Sequence, residues 1–101
     1  MEDRNLYTGL IRLHVLHHAA EGSIYGQAMI DELARHGYRV SAGTLYPILH
    51  GMERQGYLRS RVALNGGRNR RFYRATTAGR KALVTARTRV KELFGEMLEH
   101  D

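Results

Sequence analysis

Apolar residues between positions 5 and 20 fall on two helical faces, Leu6, Leu10 and Leu13 on one and Ile11, Val15, Leu16 and Ala19 on the other. A stripe that wide exceeds what a one-sided surface helix needs. This helix is either central in the core or shared between its own core and a partner's, and Glu21-Gly22 ends it. Ser23 fits the N-cap of a second helix over residues 24–36, with Gly26, Met29, Ile30 and Leu33 on one face and Gly37 as its stop. After a short extended piece, Tyr38-Arg39-Val40, Ser41 fits the cap of a third helix over residues 42–55, closed by Gly56. Its Leu45, Ile48, Leu49 and Met52 follow the i, i+3, i+4, i+7 pattern. Pro47 offers no N–H to the Gly43 carbonyl, which predicts a tight or kinked first turn.

Beyond Gly56 the period shifts towards two. Residues 57–63 and 70–75 are of strand type, and Leu64-Asn65-Gly66-Gly67-Arg68-Asn69 joins them with a strong hairpin signal. Thr76 or Thr77 can cap a last helix running to about residue 99, roughly 35 Å long. Leu83, Val90 and Met97 recur on it at seven-residue steps, with Leu93 and Phe94 between. From Val90 on it outruns a domain of this size, whose radius of gyration should be near 13 Å. Left bare, Val90, Leu93, Phe94 and Met97 would form an apolar patch, and Leu10 and Leu13 on the first helix are its natural partners in a two-fold dimer. The order of elements predicts a mainly α fold with a β-hairpin. It is that of a winged helix-turn-helix over residues 1–76, followed by a dimerisation helix over residues 77–101, in one compact unit. In such a fold the second of two short helices enters the major groove and the hairpin flanks it.

Charge narrows the partner. The chain of 101 residues carries 16 Lys+Arg against 10 Asp+Glu. Twelve of those bases, and no acid, lie between Arg54 and Lys91. A block of one sign attracts polyanions, and arginine suits phosphates and guanine edges better than lysine. Hydrophobic content of 43% excludes disorder along the whole chain. Cysteine is absent, which excludes disulfides and zinc–thiolate sites. No apolar run reaches the roughly 18–20 residues of a membrane span. The opening Met1-Glu2-Asp3-Arg4-Asn5 is unlike a secretory leader, so a cytoplasmic protein is expected.

On the third helix Gly43, Tyr46, Pro47, His50 and Arg54 face outward, with Thr44 on a flank. A solvated helix would carry Glu and Lys there, whereas small residues let the backbone approach another surface closely. In the hairpin, Arg59 and Arg61 alternate on one face, and Arg68, Arg70, Arg71 and Arg74 line the tip and return strand around Phe72 and Tyr73. That pattern suits a wing lying along a phosphate backbone or in a minor groove, with Arg68, Arg70 and Arg71 gripping phosphates. Amides before Tyr25 would offer a helix N-terminus to another phosphate. His14, His17 and His18 share the first helix at spacings that could hold a metal or sense protons. No cysteine joins them and no carboxylate stands nearby before Glu21, so no metal or cofactor is expected. No catalytic motif is present, which argues against an enzyme.

Ser41-Ala42-Gly43-Thr44-Leu45-Tyr46-Pro47-Ile48-Leu49, Met52-Glu53 and Gly56-Tyr57-Leu58 together resemble the signature of the PadR family of transcriptional regulators. Tyr25-Gly26 and the run Arg71-Phe72-Tyr73-Arg74-Ala75-Thr76-Thr77-Ala78-Gly79 are similar to that family as well. The resemblance covers about residues 6–83, and the single C-terminal helix is like that of its short subgroup. It implies a homodimeric repressor whose last helix packs on the partner's first helix, with effectors bound near the interface. It also implies DNA contacts at Tyr25, Ser41, Gly43, Thr44, Tyr46, Gly67 and Arg68. Drug-binding members of the subgroup use a tryptophan on the last helix. Here Val90 stands at the matching place, with Phe94 one turn on, as the residues an effector would meet.

The sequence therefore predicts a DNA-binding transcriptional regulator, a homodimeric repressor on a palindromic double-stranded operator, released by a small-molecule effector. Two alternatives stay open: a winged helix that binds an acidic protein, and a metal- or pH-responsive regulator using the first-helix histidines.

Overall fold

The computed structural model describes residues 3–99. Met1 and Glu2, part of the opening contrasted with a secretory leader, lie outside the described residues, as do the last two residues of the expected dimerisation segment. Seven elements follow in order: α1 (Arg4–Glu21), β1 (Ile24–Tyr25), α2 (Gly26–Arg35), α3 (Ala42–Arg54), β2 (Leu58–Asn65), β3 (Arg68–Ala75) and α4 (Thr77–Glu99). The mainly α winged helix-turn-helix with a long C-terminal helix is the fold observed. No helix among the described residues is long and apolar enough to cross a membrane.

The double face of α1 resolves into two surfaces. Ile11, Val15, Leu16 and Ala19 are buried in the core, whereas Leu6 and Leu10 stay in solvent. Asp3 caps this helix, its carboxylate accepting from the Asn5 and Leu6 amides at 2.9 and 3.1 Å. Leu45, Leu49 and Met52 of α3 join the core with Met29 and Leu33 of α2, and Ile48 packs at its edge. The first turn of α3 is tight, since Ser41 O accepts from both Thr44 N at 3.1 Å and Leu45 N at 2.9 Å.

The second helix starts later than the sequence predicts, and Ser23 is not its cap. Ile24 and Tyr25 instead pair antiparallel with Tyr73 and Phe72, forming a third strand at the edge of the hairpin in the order β1-β3-β2. Two ladder positions and the packing of Ile24 against the core outweigh the helical pattern that Ile24 shares with the residues after it. The amides before Tyr25 therefore belong to a strand. Tyr38-Arg39-Val40 forms no regular strand, and Val40 folds into the core.

The hairpin is longer than expected, and the six-residue loop becomes two residues. Gly66 and Gly67 take φ of 59° and 79°, the left-handed pair of a two-residue turn whose twist matches the strands. The ladder consequently runs to Asn65↔Arg68. Strand alternation also separates the two aromatics of β3: Tyr73 is buried in the core, and Phe72 alone stays on the wing's outer face.

Thr76 caps α4, its hydroxyl accepting from the Gly79 amide at 3.0 Å. The helix then presses on the residue ahead of β2 so closely that a Cβ at Gly79 would collide with the Tyr57 carbonyl oxygen. Gly79→Ala should therefore destabilise the fold by about 1–3 kcal/mol, read as a lowered midpoint of thermal or urea unfolding. Tyr73 offers the opposite case. Its hydroxyl is buried without a hydrogen-bond partner among the described residues, and burial, with the Glu53 carboxylate nearby, pushes its pKa up. Tyr73→Phe keeps the ring and removes the unpaired group, so it should raise stability by on the order of 1 kcal/mol. A lowered unfolding midpoint would contradict this account of the hydroxyl.

Candidate nucleic-acid interface

The wing's outer face carries positive charge at close range. Arg59 of β2 stands directly opposite Arg74 of β3, and Arg61 opposite Phe72. Like charges facing across a ladder are unfavourable on a hairpin built only for stability. Tyr25 continues the row from β1, meeting Phe72 edge-on at a centroid distance of 5.4 Å. The Arg70 guanidinium lies 4.3 Å from the Tyr25 ring centroid, and that of Arg61 lies 5.9 Å from Phe72. Each of these guanidiniums is thus seated at an aromatic ring, and Nε of Arg70 is buried with no hydrogen-bond partner among the described residues.

Because β1 is two residues long, the chain turns into α2 beside the unpaired edge of β3. A polar cleft of about 300 Å³ opens there, lined by Tyr25, Gln27, Tyr46, Arg68, Arg70 and Arg71, among others. Five of the residues predicted to contact DNA thus meet around one cleft. Tyr25 occupies the N-cap position of α2 and makes no side-chain cap, so no side chain there takes up the first amides of that helix. Free amides at a helix start favour an anion.

The remaining predicted residues lie beside this cleft or carry a structural duty. Gly43, Thr44, Pro47 and His50 are exposed on α3, and Gly67 and Arg68 are exposed at the wing tip. Ser41 is also exposed, and its hydroxyl caps the helix by accepting from the Thr44 amide at 3.3 Å while donating to Thr44 Oγ1 at 3.3 Å. Tyr46 departs from the outward position the helical wheel gives it. It is half-buried with its ring over Gly26, where a Cβ would collide with the phenol. It therefore sets the spacing of α2 and α3 as well as lining the cleft. Arg71 donates to Ser60 Oγ at 3.1 Å, and Ser60 donates in turn to Glu53 Oε2 at 2.7 Å, which ties the wing to the end of α3. Gln27 and Asn69 also line the cleft, and no sequence pattern marks them, because their nearness depends on β1.

The residues predicted to form a dimer gather along α1 and α4. Leu10, Leu13, Val90 and Phe94 line an apolar groove of about 520 Å³ between α1 and α4, and Val90 and Phe94 are the residues expected to meet an effector. Leu93 and Met97 continue this exposed surface along α4, each at least half in solvent. Of the first-helix histidines, His14 and His17 also line this groove, whereas His18 is not part of its lining. His14 is flanked by His18, His36 and Tyr38, and burial, helped by the neighbouring histidines, lowers its pKa.

Comparisons with known proteins agree with this geometry. A family model described as the transcriptional regulator PadR-like family matches residues 15–85. The chain is 50% identical over 95 residues to the transcriptional regulator Rv3488 of Mycobacterium tuberculosis, covering 94% of this chain and 89% of that one. It is also similar to the crystal structure of a PadR family transcriptional regulator from Eggerthella lenta, at 33% identity and a TM-score of 0.79, covering 96% of this chain and 88% of the other. A PadR-like transcription factor from Bacteroides fragilis shares the fold with a TM-score of 0.82 at 24% identity, over 95% of this chain and 93% of that one.

Proposed function

The chain belongs to the PadR-like family of transcriptional regulators, and from that premise we propose that it is a cytoplasmic homodimeric repressor, released from a palindromic operator by a small molecule. The observation that carries this reading is the gathering of Tyr25, Tyr46, Arg68, Arg70 and Arg71 around one cleft beside the exposed face of α3. Gly43 and Thr44 let the start of α3 approach the major groove, with His50 about two turns further along. Arg68 and Arg70 engage phosphates from the wing, and Arg71 does so from its hydrogen bond to Ser60. Tyr25 and Tyr46 hold the surface in register. Residues up to 76 thus read DNA, and α4 joins two copies. The two recognition helices then lie about one DNA turn, roughly 34 Å, apart, which calls for a two-fold operator.

The dimer reading rests on the exposed apolar surface of Leu10, Val90, Leu93, Phe94 and Met97. A second copy would cover it isologously, α4 of one protomer meeting α1 of the other. The groove at Val90 and Phe94 is of a size and apolarity that suit a small organic effector. Binding there would shift the two protomers and so the spacing of their recognition helices.

The interface is rich in arginine and poor in long side chains on α3, so affinity should lean on phosphates. With six to ten phosphate contacts per dimer, binding to specific duplex should fall roughly 10³–10⁵-fold between about 50 and 200 mM salt. A nearly flat salt series, with retention on an acidic protein instead of heparin, would overturn the DNA reading. Arg68→Ala should weaken binding to all sequences alike, whereas Thr44→Ala should change which site is preferred.

The protein should sediment as a dimer at micromolar concentration without DNA. Changing Leu93 and Phe94 together to Asp should give folded monomers with strongly reduced operator affinity. A monomeric unmodified protein under those conditions would remove the role given to α4.

A further inference from the structure

We propose that His14, His18 and His36 form a binding site for a divalent transition metal of the zinc class, fastening the end of α2 to α1. One potential ligand nitrogen from each of the three lies within 4.8 Å of the others. His14 and His18 stand one turn apart on α1, and His36 is the C-cap residue of α2. The rings of His14 and His18 are stacked at 6.0 Å with an interplanar angle of 15°, and the His36 ring centroid lies 4.8 Å from that of His14. Tetrahedral zinc with nitrogen ligands at 2.0–2.1 Å needs ligand atoms about 3.3 Å apart. The ligand atoms must close by up to about 1.5 Å, and His36, exposed at the end of α2, is the side chain with room to turn.

The surroundings of the rings distinguish this group from a stack of aromatic residues. Nε2 of His18 is buried and has no hydrogen-bond partner among the described residues. Its other nitrogen, Nδ1, lies 3.6 Å from the Glu21 carboxylate. The Glu32 carboxylate stands 3.8 Å from Nε2 of His36. Carboxylates beside ligand imidazoles orient the ring and raise its basicity, an arrangement typical of histidine metal sites. Tyr38, edge-on to His14 at 5.0 Å, shields one side. Three imidazoles favour zinc, nickel or copper over the hard cations, and a fourth position is left for water or an exogenous ligand.

A second group, His17, His18 and Glu21, shares His18 and so competes for the same nitrogen pair. It lies on one helix with His17 and Glu21 in solvent, and a metal there would fasten nothing. The site at His14, His18 and His36 joins the helix that carries Leu10 and Leu13 to the first helix of the DNA-reading pair. It does not rest on the DNA-binding reading, and its test uses the free protein.

The full chain, stripped of metal by chelation, would be titrated with Zn²⁺ by calorimetry and with Co²⁺ by visible absorption. The expected result is one equivalent per chain, a Co²⁺ d–d spectrum of nitrogen coordination, and a thermal midpoint that rises with Zn²⁺ concentration. His36→Ala, at an exposed position the fold tolerates, and His14→Gln should each weaken Zn²⁺ binding more than about a hundredfold, and Glu32→Gln by about 10–100-fold. His17→Ala should bind as the unmodified protein does. Absence of stoichiometric uptake, unchanged binding by His36→Ala, or loss of binding in His17→Ala would each overturn the proposal.

Discussion

The pairing of Ile24 and Tyr25 with Tyr73 and Phe72 is the constraint on which the arginine-lined cleft depends. Two ladder positions fix where α2 begins, and they place that beginning beside the unpaired edge of β3. Without them Tyr25 would be a helical residue, and its ring would not lie under Arg70. The cleft of tyrosines and arginines is therefore a consequence of strand pairing rather than of any local motif. Gly26 completes it, because only a residue without a side chain admits the Tyr46 ring at that point.

The same dependence explains which features were legible in the sequence. α1, α3 and α4 each show several turns of apolar periodicity with a cap or a stop, and their positions follow from the sequence to within a residue or two. A two-residue strand has no period to read, so the pattern merges Ile24 and Tyr25 with the helix after them. The wing tip was placed correctly and its length was not, because Gly66 and Gly67 together allow a turn tighter than six polar residues suggest. Alternation along β3 was legible in principle. It assigns Tyr73 to the core and Phe72 to the outer face once the register of Leu58 against Ala75 is known. The place of His36 is hidden for another reason: its partners are distant in sequence, and only the packing of α2 on α1 brings it to His14.

Charge on the wing shows a balance between stability and binding. Arg59 and Arg74 face one another, and Arg61 and Arg70 rest on aromatic rings rather than on carboxylates. Glu53, the acid just ahead of the basic run, is engaged by the Ser60 amide and hydroxyl on the core side. The repulsion that remains is tolerated by the free protein and relieved by a polyanion. A hairpin with alternating signs would be steadier alone and a weaker ligand for phosphate.

One helix ties these regions together. The buried face of α1 holds the core through Ile11, Val15 and Leu16, and its open face borders the groove against α4 through Leu10 and Leu13. A third strip, His14 and His18, touches the end of α2. Since α2 and α3 are held apart by the Tyr46 ring, a shift of α1 relative to α2 reaches the DNA-facing helix through a close-packed contact rather than through a loop. Packed interiors move between discrete arrangements and yield little to small displacements. On the proposed reading, a molecule seated in the α1–α4 groove would reach the recognition surface by this route, through side chains whose other duty is to hold the fold.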